Sequence, residues 1–190
     1  MMVGGHSSNV KTLKVARIAL LRIVLYLASL IFSIIVVGVV VDRVNVTLRS
    51  VPVCWFDINR DSLPCDVAVG VGVSSLVVSL LLVFTDTVFD VKQLGSESVR
   101  TTIRVLIIVL SSVLAIIWLV CFGFLAVKWK MVKDLAQSAS SSIAARTEAV
   151  IAFSFLCFTV WIAEIVLASV GMRASRCHTV LSQETVGSDL

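Results

Sequence analysis

Four apolar segments, almost free of charged residues, constrain this chain more than any other feature. Each has about the 20 residues that an α-helix needs to cross about 30 Å of hydrocarbon. Strands of membrane barrels are only about 10 residues long and alternate in polarity, which these segments do not. The composition, with 58% hydrophobic and 15% charged residues, departs from that of soluble domains in the same direction. The pattern therefore predicts an all-α integral membrane protein with spanning helices at 23–41, 67–85, 105–127 and 149–172.

Short connections join these segments, so successive helices should pack as antiparallel neighbours in one four-helix bundle over residues 23–172. The flanking tails, 1–22 and 173–190, are rich in Ser, Thr and Gly, and we expect them to be largely disordered. Helices in lipid approach each other where small residues share a face. In VGVGVSS, Gly70 and Ser74 lie four positions apart, and we interpret them as a helix-packing site.

The distribution of basic residues predicts the orientation in the membrane. The N-terminal tail contains four basic residues and no acid, namely Lys11, Lys14, Arg17 and Arg22. The first loop balances its arginines with aspartates. Because basic residues near the first helix usually keep that side in the cytosol, we predict that both termini are cytosolic. The net charge of +4 is scattered over the helix ends, so no continuous basic groove for nucleic acid is expected.

The first loop contains VCWFDINRDSLPC, in which Cys54 and Cys65 lie eleven positions apart around a turn-rich stretch. In the oxidising lumen predicted for this loop, a disulfide would form and would restrain the unfolded chain by about 2–3 kcal/mol in the loop-entropy picture. Zinc binding is a weaker alternative, because two thiolates need two further ligands and the loop has no histidine. Unpaired thiols are the third alternative. No metal site and no cofactor are predicted.

Three short signals indicate modification or binding outside the helices. Asn45-Val46-Thr47 matches the glycosylation sequon but begins only three residues past Asp42, close to the bilayer, and its use stays open. Cys177 follows the last helix at a juxtamembrane position suited to reversible palmitoylation, with a free thiol as the alternative. The ending Ser188-Asp189-Leu190 fits the S/T-x-apolar carboxyl terminus that PDZ domains bind as an added strand.

The sequence contains no catalytic constellation. Its two histidines, His6 and His178, lie in the tails, and no Walker loop, H-E-x-x-H or G-x-S-x-G motif occurs. We therefore predict that the protein is not an enzyme.

Glu164 interrupts the fourth apolar segment about 13 Å from its cytosolic end at 1.5 Å per residue. It continues a stripe with 3,4 spacing, so it should face the bundle interior. Four serines lie at a similar predicted depth, namely Ser33, Ser79, Ser111 and Ser112. Since burial disfavours a charge, we interpret Glu164 as a neutral acid that is hydrogen-bonded to this polar layer or to a trapped water. A proton or ion site in a small channel or transporter, and contact with a partner helix, are the alternatives.

Particular strings then resemble one family. VCWFDINRDSLPC is followed by DVAVGVGVSS and LLVFTDTVFD, and the third and fourth helices carry WLVCFGFLAVKW and ARTEAVIAFSFLCFTVW. These strings, in this order over residues 50–161, are similar to the synaptogyrins, which are four-helix vesicle membrane proteins of the MARVEL-domain class. Glu164 is not part of the family pattern.

The resemblance implies a non-enzymatic protein of vesicle membranes, active in vesicle biogenesis, sorting or regulated exocytosis. Its expected partners are the lipid bilayer, other vesicle membrane proteins and further copies of itself. The expected location is a cytoplasmic or synaptic-type vesicle membrane, another endomembrane or the plasma membrane. A small channel or transporter subunit that uses Glu164 is the competing function.

Overall fold

A computed structural model describes residues 6–44, 54, 62–92, 97–139 and 141–187, and side chains within 17–42, 62–88, 101–133 and 144–172 together with residues 54 and 99. Every described segment except residues 54 and 62 is helical. The elements are α1 (His6–Val44), α2 (Leu63–Lys92), α3 (Glu97–Ala139) and α4 (Ser141–Gly187). The prediction of an all-α protein with four spanning helices is therefore confirmed.

All four helices extend beyond the apolar segments that predicted them. The parts long and apolar enough to cross a membrane are Arg17–Asp42, Leu63–Val88, Thr101–Lys133 and Ala144–Met172. Because α1 begins at His6 and α4 ends at Gly187, the expectation of largely disordered tails is wrong for most of both tails. Once a helix exists, each added residue gains one backbone hydrogen bond, and neither extension contains a proline that would stop it.

α2 begins at a site where local sequence favours a helix start. The backbone N–H of Asp66 donates to the carbonyl of Ser62 over 3.0 Å. Pro64 lies in the first turn, where its missing N–H leaves no hydrogen bond unmade. Asp66 places a negative charge at the positive end of the helix dipole. The entry of the chain into α2 is thus fixed by three neighbouring residues.

The predicted disulfide joins Cys54 to Cys65, with their Cα atoms 6.0 Å apart. Both cysteines are buried, and Cys65 lies in the first turn of α2. The bond therefore ties residue 54 of the first loop to the start of the second helix. We call this end of the bundle the disulfide end, and the opposite end, where α1 begins and α4 ends, the termini end.

The helices form a ring in which each packs against its two neighbours. α1 packs on α2 and α4, while α3 packs closely on α4 and more loosely on α2. Within the part of the chain that the structure describes, the diagonal pairs, α1 with α3 and α2 with α4, do not pack directly on each other. The interior is filled by large side chains from three helices, of which Trp118, Trp161 and Tyr26 are the bulkiest that are fully buried.

Gly72, rather than Gly70, permits the close approach of α1 and α2. A Cβ atom added at Gly72 would lie 2.5 Å from a methyl carbon of Val37 and 3.6 Å from the carbonyl oxygen of Ser33. A Cβ added at Gly70 would meet nothing within 4 Å, and Ser74 is exposed. The interpretation of Gly70 and Ser74 as a packing site is therefore wrong, because their face of the helix points away from the bundle.

The outer surface of the four spans is apolar. Large side chains with more than half their area exposed occur on all four helices, for example Leu20, Phe84, Val120 and Val166. Hydroxyl groups on this surface bond back to their own helix: Thr85 donates to the carbonyl of Leu81 over 2.6 Å, and Thr87 to that of Val83 over 2.7 Å. These bonds satisfy the hydroxyls without water, as a lipid-facing surface requires.

Candidate functional site: an intramembrane charge cluster

Glu164 lies in the bundle interior, with a side chain that is only 1% exposed. Its Oε1 atom accepts a hydrogen bond from the Nε atom of Arg22 over 2.7 Å. Arg22 belongs to α1 and is itself largely buried, at 16% side-chain exposure. Pairing with a guanidinium through a short, charge-assisted bond is the arrangement that allows a carboxylate to lie in a low-dielectric interior.

Tyr26 completes the contact between α1 and α4. Its hydroxyl donates to the same Oε1 atom over 2.7 Å and accepts from the Nη2 atom of Arg22 over 2.7 Å. Arg22 and Tyr26 are four positions apart, so one turn of α1 presents both side chains on one face. Together, Arg22, Tyr26 and Glu164 form a closed triangle of hydrogen bonds.

A third helix joins this triangle through Asp86 near the end of the second span. Its Oδ2 atom lies 3.1 Å from the Nη2 atom of Arg22. The guanidinium of Arg22 is therefore shared between two carboxylates, one on α2 and one on α4. We call Arg22, Tyr26, Asp86 and Glu164 the charge cluster, and it joins α1, α2 and α4 near the termini end.

None of the four predicted serines bonds directly to Glu164. Ser79 donates instead to Ser29 over 3.3 Å, and Ser29 lies 3.4 Å from Ser75, so these three hydroxyls join α1 to α2. Ser112 donates to the carbonyl of Ile108 over 2.7 Å.

Ser33 and Ser111 are buried, but their hydroxyls have no hydrogen-bond partner among the described residues. In place of the serines, Arg22 and Tyr26 make the direct contacts to Glu164 Oε1, while Oε2 bonds to no described residue. The expectation of a neutral acid considered burial alone, whereas Arg22 also places a cation 2.7 Å from the carboxylate.

Arg22, Tyr26 and Asp86 were not identified as partners from the sequence. Arg22 is the last residue of the predicted N-terminal tail and Asp86 follows the second apolar segment, so each directly flanks an apolar segment. In an antiparallel bundle, the start of α1 and the ends of α2 and α4 lie at the same end. One cation and two acids near that end were the available signal, because buried ionisable groups occur in pairs.

The cluster offers ionic and hydrogen-bond contacts rather than a metal site. Among the described residues, no group of three or more His, Cys, Asp or Glu side chains could hold a metal ion. Cys121 and Cys157 are free and buried, and their small side chains pack in the hydrophobic core.

Several predicted sites lie outside the described residues. Asn45, Ser188, Asp189 and Leu190 are not described, and neither is the side chain of Cys177, although its backbone belongs to α4.

Comparison with known proteins agrees with this architecture. The family profile of the MARVEL "Membrane-associating domain" matches residues 17–167. Human Synaptogyrin-1 is 31% identical over 163 residues, which cover 85% of this chain and 68% of that protein. Human Synaptogyrin-4 is 29% identical over 118 residues, covering 61% of this chain and 47% of that protein. The matched residues 17–167 include Arg22, Tyr26, Asp86 and Glu164.

Proposed function

Because this chain belongs to the synaptogyrin family of MARVEL-domain membrane proteins, we propose that it acts in vesicle biogenesis, sorting or regulated exocytosis. It is an integral, multi-pass protein of vesicle or endomembrane type. In this proposal it works by lateral contacts within the membrane and not by catalysis. The observation that carries the proposal is the family match over residues 17–167, which covers the first three membrane spans and most of the fourth.

The distribution of polar groups supports a role based on lateral contacts. Within the spans Glu164 is buried, and the exposed hydroxyls of Ser74, Thr85 and Thr87 bond to their own helix. The outer surface is otherwise apolar on every helix, and exposed charges lie near the span ends, for example Asp42, Lys133, Arg146 and Glu148. Such a surface contacts lipid tails, and it can also contact other vesicle membrane proteins or a second copy of this chain. A PDZ domain that binds Ser188-Asp189-Leu190 is a further proposed partner.

We also propose that the termini end faces the cytosol and the disulfide end faces the lumen. Residues 1–22 and 173–190 are then cytosolic segments on either side of the membrane domain 23–172. The basic N-terminal tail supports this orientation, as does the disulfide, which forms in oxidising compartments.

Glu164 has a structural role in this proposal. Its contacts to Arg22 and Tyr26 hold α4 against α1, which accounts for an acid inside the membrane without a transport function. The competing function, a small channel or transporter, is tested by ion and proton flux into liposomes that contain the purified protein. We expect no flux above that of empty liposomes. Flux that Glu164→Gln abolishes would favour transport over the proposed role.

The test of the vesicle role is the location and effect of a tagged copy in secretory cells. We expect the protein on small vesicles, and we expect its removal to change the number, size or cargo of those vesicles. Returning the wild-type protein to cells that lack it should restore the vesicles. The variant Arg146→Met removes an exposed charge outside the charge cluster, and as a control it should restore them equally well. A copy that stays off vesicles, or a removal without effect on them, would contradict the proposal.

A further inference from the structure

Four buried polar atoms on α3 and α4 have no hydrogen-bond partner among the described residues. They are Glu164 Oε2, Trp161 Nε1, Trp118 Nε1 and Ser111 Oγ. All four residues are completely buried. Buried polar atoms are almost always hydrogen-bonded, and an exception in a native fold calls for a bound water or ion as its partner. Two further such atoms, Ser33 Oγ and Trp129 Nε1, lie on α1 and in a separate core cluster with Val132 and Ala144.

The register of the antiparallel pair α3 and α4 places Trp118 near the level of Trp161, and Ser111 near the level of Glu164. Phe122 and Phe155 set this register, because their tilted rings pack with centroids 5.4 Å apart. Trp118 lies four positions before Phe122. Because the helices are antiparallel, the matching point on α4 lies four positions after Phe155, which is about two residues from Trp161. The same counting brings Ser111 to within about two residues of the level of Glu164. The four residues therefore lie at two successive levels of the α3–α4 contact, which we call the α3–α4 seam.

The chemistry of the four atoms selects the ligand. An indole N–H can only donate, a carboxylate oxygen can only accept, and a serine hydroxyl can do both. Two N–H donors repel a metal cation, so the seam does not suit one. Water matches the set, because its oxygen accepts from Trp118 and Trp161 while its hydrogens bond to Glu164 and Ser111.

We propose that the α3–α4 seam binds one or two ordered water molecules, held by Trp118, Trp161, Glu164 and Ser111. Arg22 and Tyr26 then bond to one oxygen of the Glu164 carboxylate and the water bonds to the other. Such a buried water typically makes about three hydrogen bonds to groups that lack other partners. The water site thus extends the charge cluster, which joins α1, α2 and α4, to α3.

Transfer of nuclear magnetisation from water to the indole protons tests the proposal. The full chain would be labelled with ¹⁵N at its four tryptophans and placed in nanodiscs of deuterated lipid. Trp118→Phe and Trp161→Phe each remove one signal and so assign it. We expect direct transfer from water to the Trp118 and Trp161 N–H protons, and loss of the Trp161 transfer in Glu164→Leu.

Ser111→Ala removes one of the four proposed water ligands, so we expect weaker transfer in this variant. Ser112→Ala is the matched control, because the Ser112 hydroxyl donates to the carbonyl of Ile108, and its transfer should equal that of the wild type. Transfer that persists undiminished in both Ser111→Ala and Glu164→Leu shows another source of magnetisation and overturns the proposal. Absence of transfer in the wild type also overturns it, because the indoles must then bond directly to the carboxylate or to nothing. The wild-type measurement decides the matter even where Glu164→Leu fails to fold.

Discussion

The buried ion pair between Arg22 and Glu164 should contribute differently to stability from the exposed pair between Arg146 and Asp42. Arg146 and Asp42 lie 3.2 Å apart, but their side chains are 55% and 72% exposed. Exposed pairs contribute at most about 1 kcal/mol because water screens both charges. When one partner of a buried pair is removed, the other charge is left without compensation in a low-dielectric interior, which costs about 3–5 kcal/mol.

Arg22→Met should therefore lower the free energy of unfolding by about 3–5 kcal/mol, since it leaves the carboxylate of Glu164 buried without its cation. Arg146→Met, the matched control at the disulfide end, should change it by less than about 1 kcal/mol. Unfolding in mixed detergent micelles, followed by helical circular dichroism, measures both. Equal effects of the two substitutions would contradict a structural role for the cluster.

The double variant Arg22→Met with Glu164→Met should recover most of the stability lost in Arg22→Met. Replacing a whole buried ion pair with apolar groups of similar size is often neutral, whereas removing one member is not. The same unfolding measurement applies. If the double variant is less stable than Arg22→Met, then Glu164 contributes through contacts other than its pair with Arg22.

Tyr26→Phe should have a smaller effect than Arg22→Met, of about 1.5–3 kcal/mol, the usual range for a hydrogen bond to a charged group. It removes one of the two donors to Glu164 Oε1 but leaves the guanidinium in place. Ring packing is retained, so a loss as large as that of Arg22→Met would show that the hydroxyl is needed to position Arg22.

At the scale of elements, the α1–α2 contact depends on the missing side chain of Gly72. The backbone of α2 approaches Val37 so closely there that a Cβ atom would lie 2.5 Å from a side-chain carbon. The three bonded serines of this interface, Ser29, Ser75 and Ser79, add hydrogen bonds that average only about 0.6 kcal/mol each in membrane proteins. Close packing is therefore the larger contribution of this contact.

Gly72→Ala should destabilise the protein by about 1–3 kcal/mol, the usual cost of overpacking. Gly70→Ala is the matched control two residues away, and it should be neutral or slightly stabilising because its Cβ meets nothing within 4 Å and alanine favours a helix. Thermal unfolding in detergent compares them. Equal stability of the two variants would contradict the close approach at Gly72.

At the scale of the whole molecule, the disulfide and the basic tail lie at opposite ends of a bundle whose helices all cross the membrane. The Cys54–Cys65 bond lies at the disulfide end, while Arg17 and the charge cluster lie at the termini end. An oxidising compartment on one side and the cytosol on the other would account for both features.

Thiol alkylation of opened vesicles should leave Cys54 and Cys65 unmodified until a reductant is added. Reduction should then lower the free energy of unfolding by about 2–3 kcal/mol, since it frees a short loop of the unfolded chain. Mass spectrometry after alkylation measures the first effect, and unfolding with and without reductant the second. The double variant Cys54→Ser with Cys65→Ser is the control, because reductant should not change its stability.

Antibody access to a tag on each terminus tests the orientation. In intact vesicles both tags should bind antibody and should be digested by added protease, because the termini end faces outward into the cytosol. A tag inserted after Asn59, in the first loop, should be protected until detergent is added. Protection of the terminal tags would reverse the proposed orientation.

Much of this fold was determined by the sequence alone. The four apolar segments predicted the four helices, because only a helix satisfies every backbone hydrogen bond within a segment that crosses lipid. The spacing of Cys54 and Cys65 predicted their disulfide, and the strings around them indicated the family. The 3,4 spacing of the stripe that contains Glu164 correctly predicted that this face points inward, since helical periodicity depends only on positions along the chain.

The tertiary structure alone decided which groups meet across the helices. The sequence placed Glu164 at a depth shared with several serines, but only the packing of α1 against α4 brought Arg22 and Tyr26 to its carboxylate. It likewise decided that Gly72, and not Gly70, faces α1. Periodicity gives the face that a residue occupies, whereas its partner depends on the relative rotation and register of two helices, which contacts distant in the sequence set together.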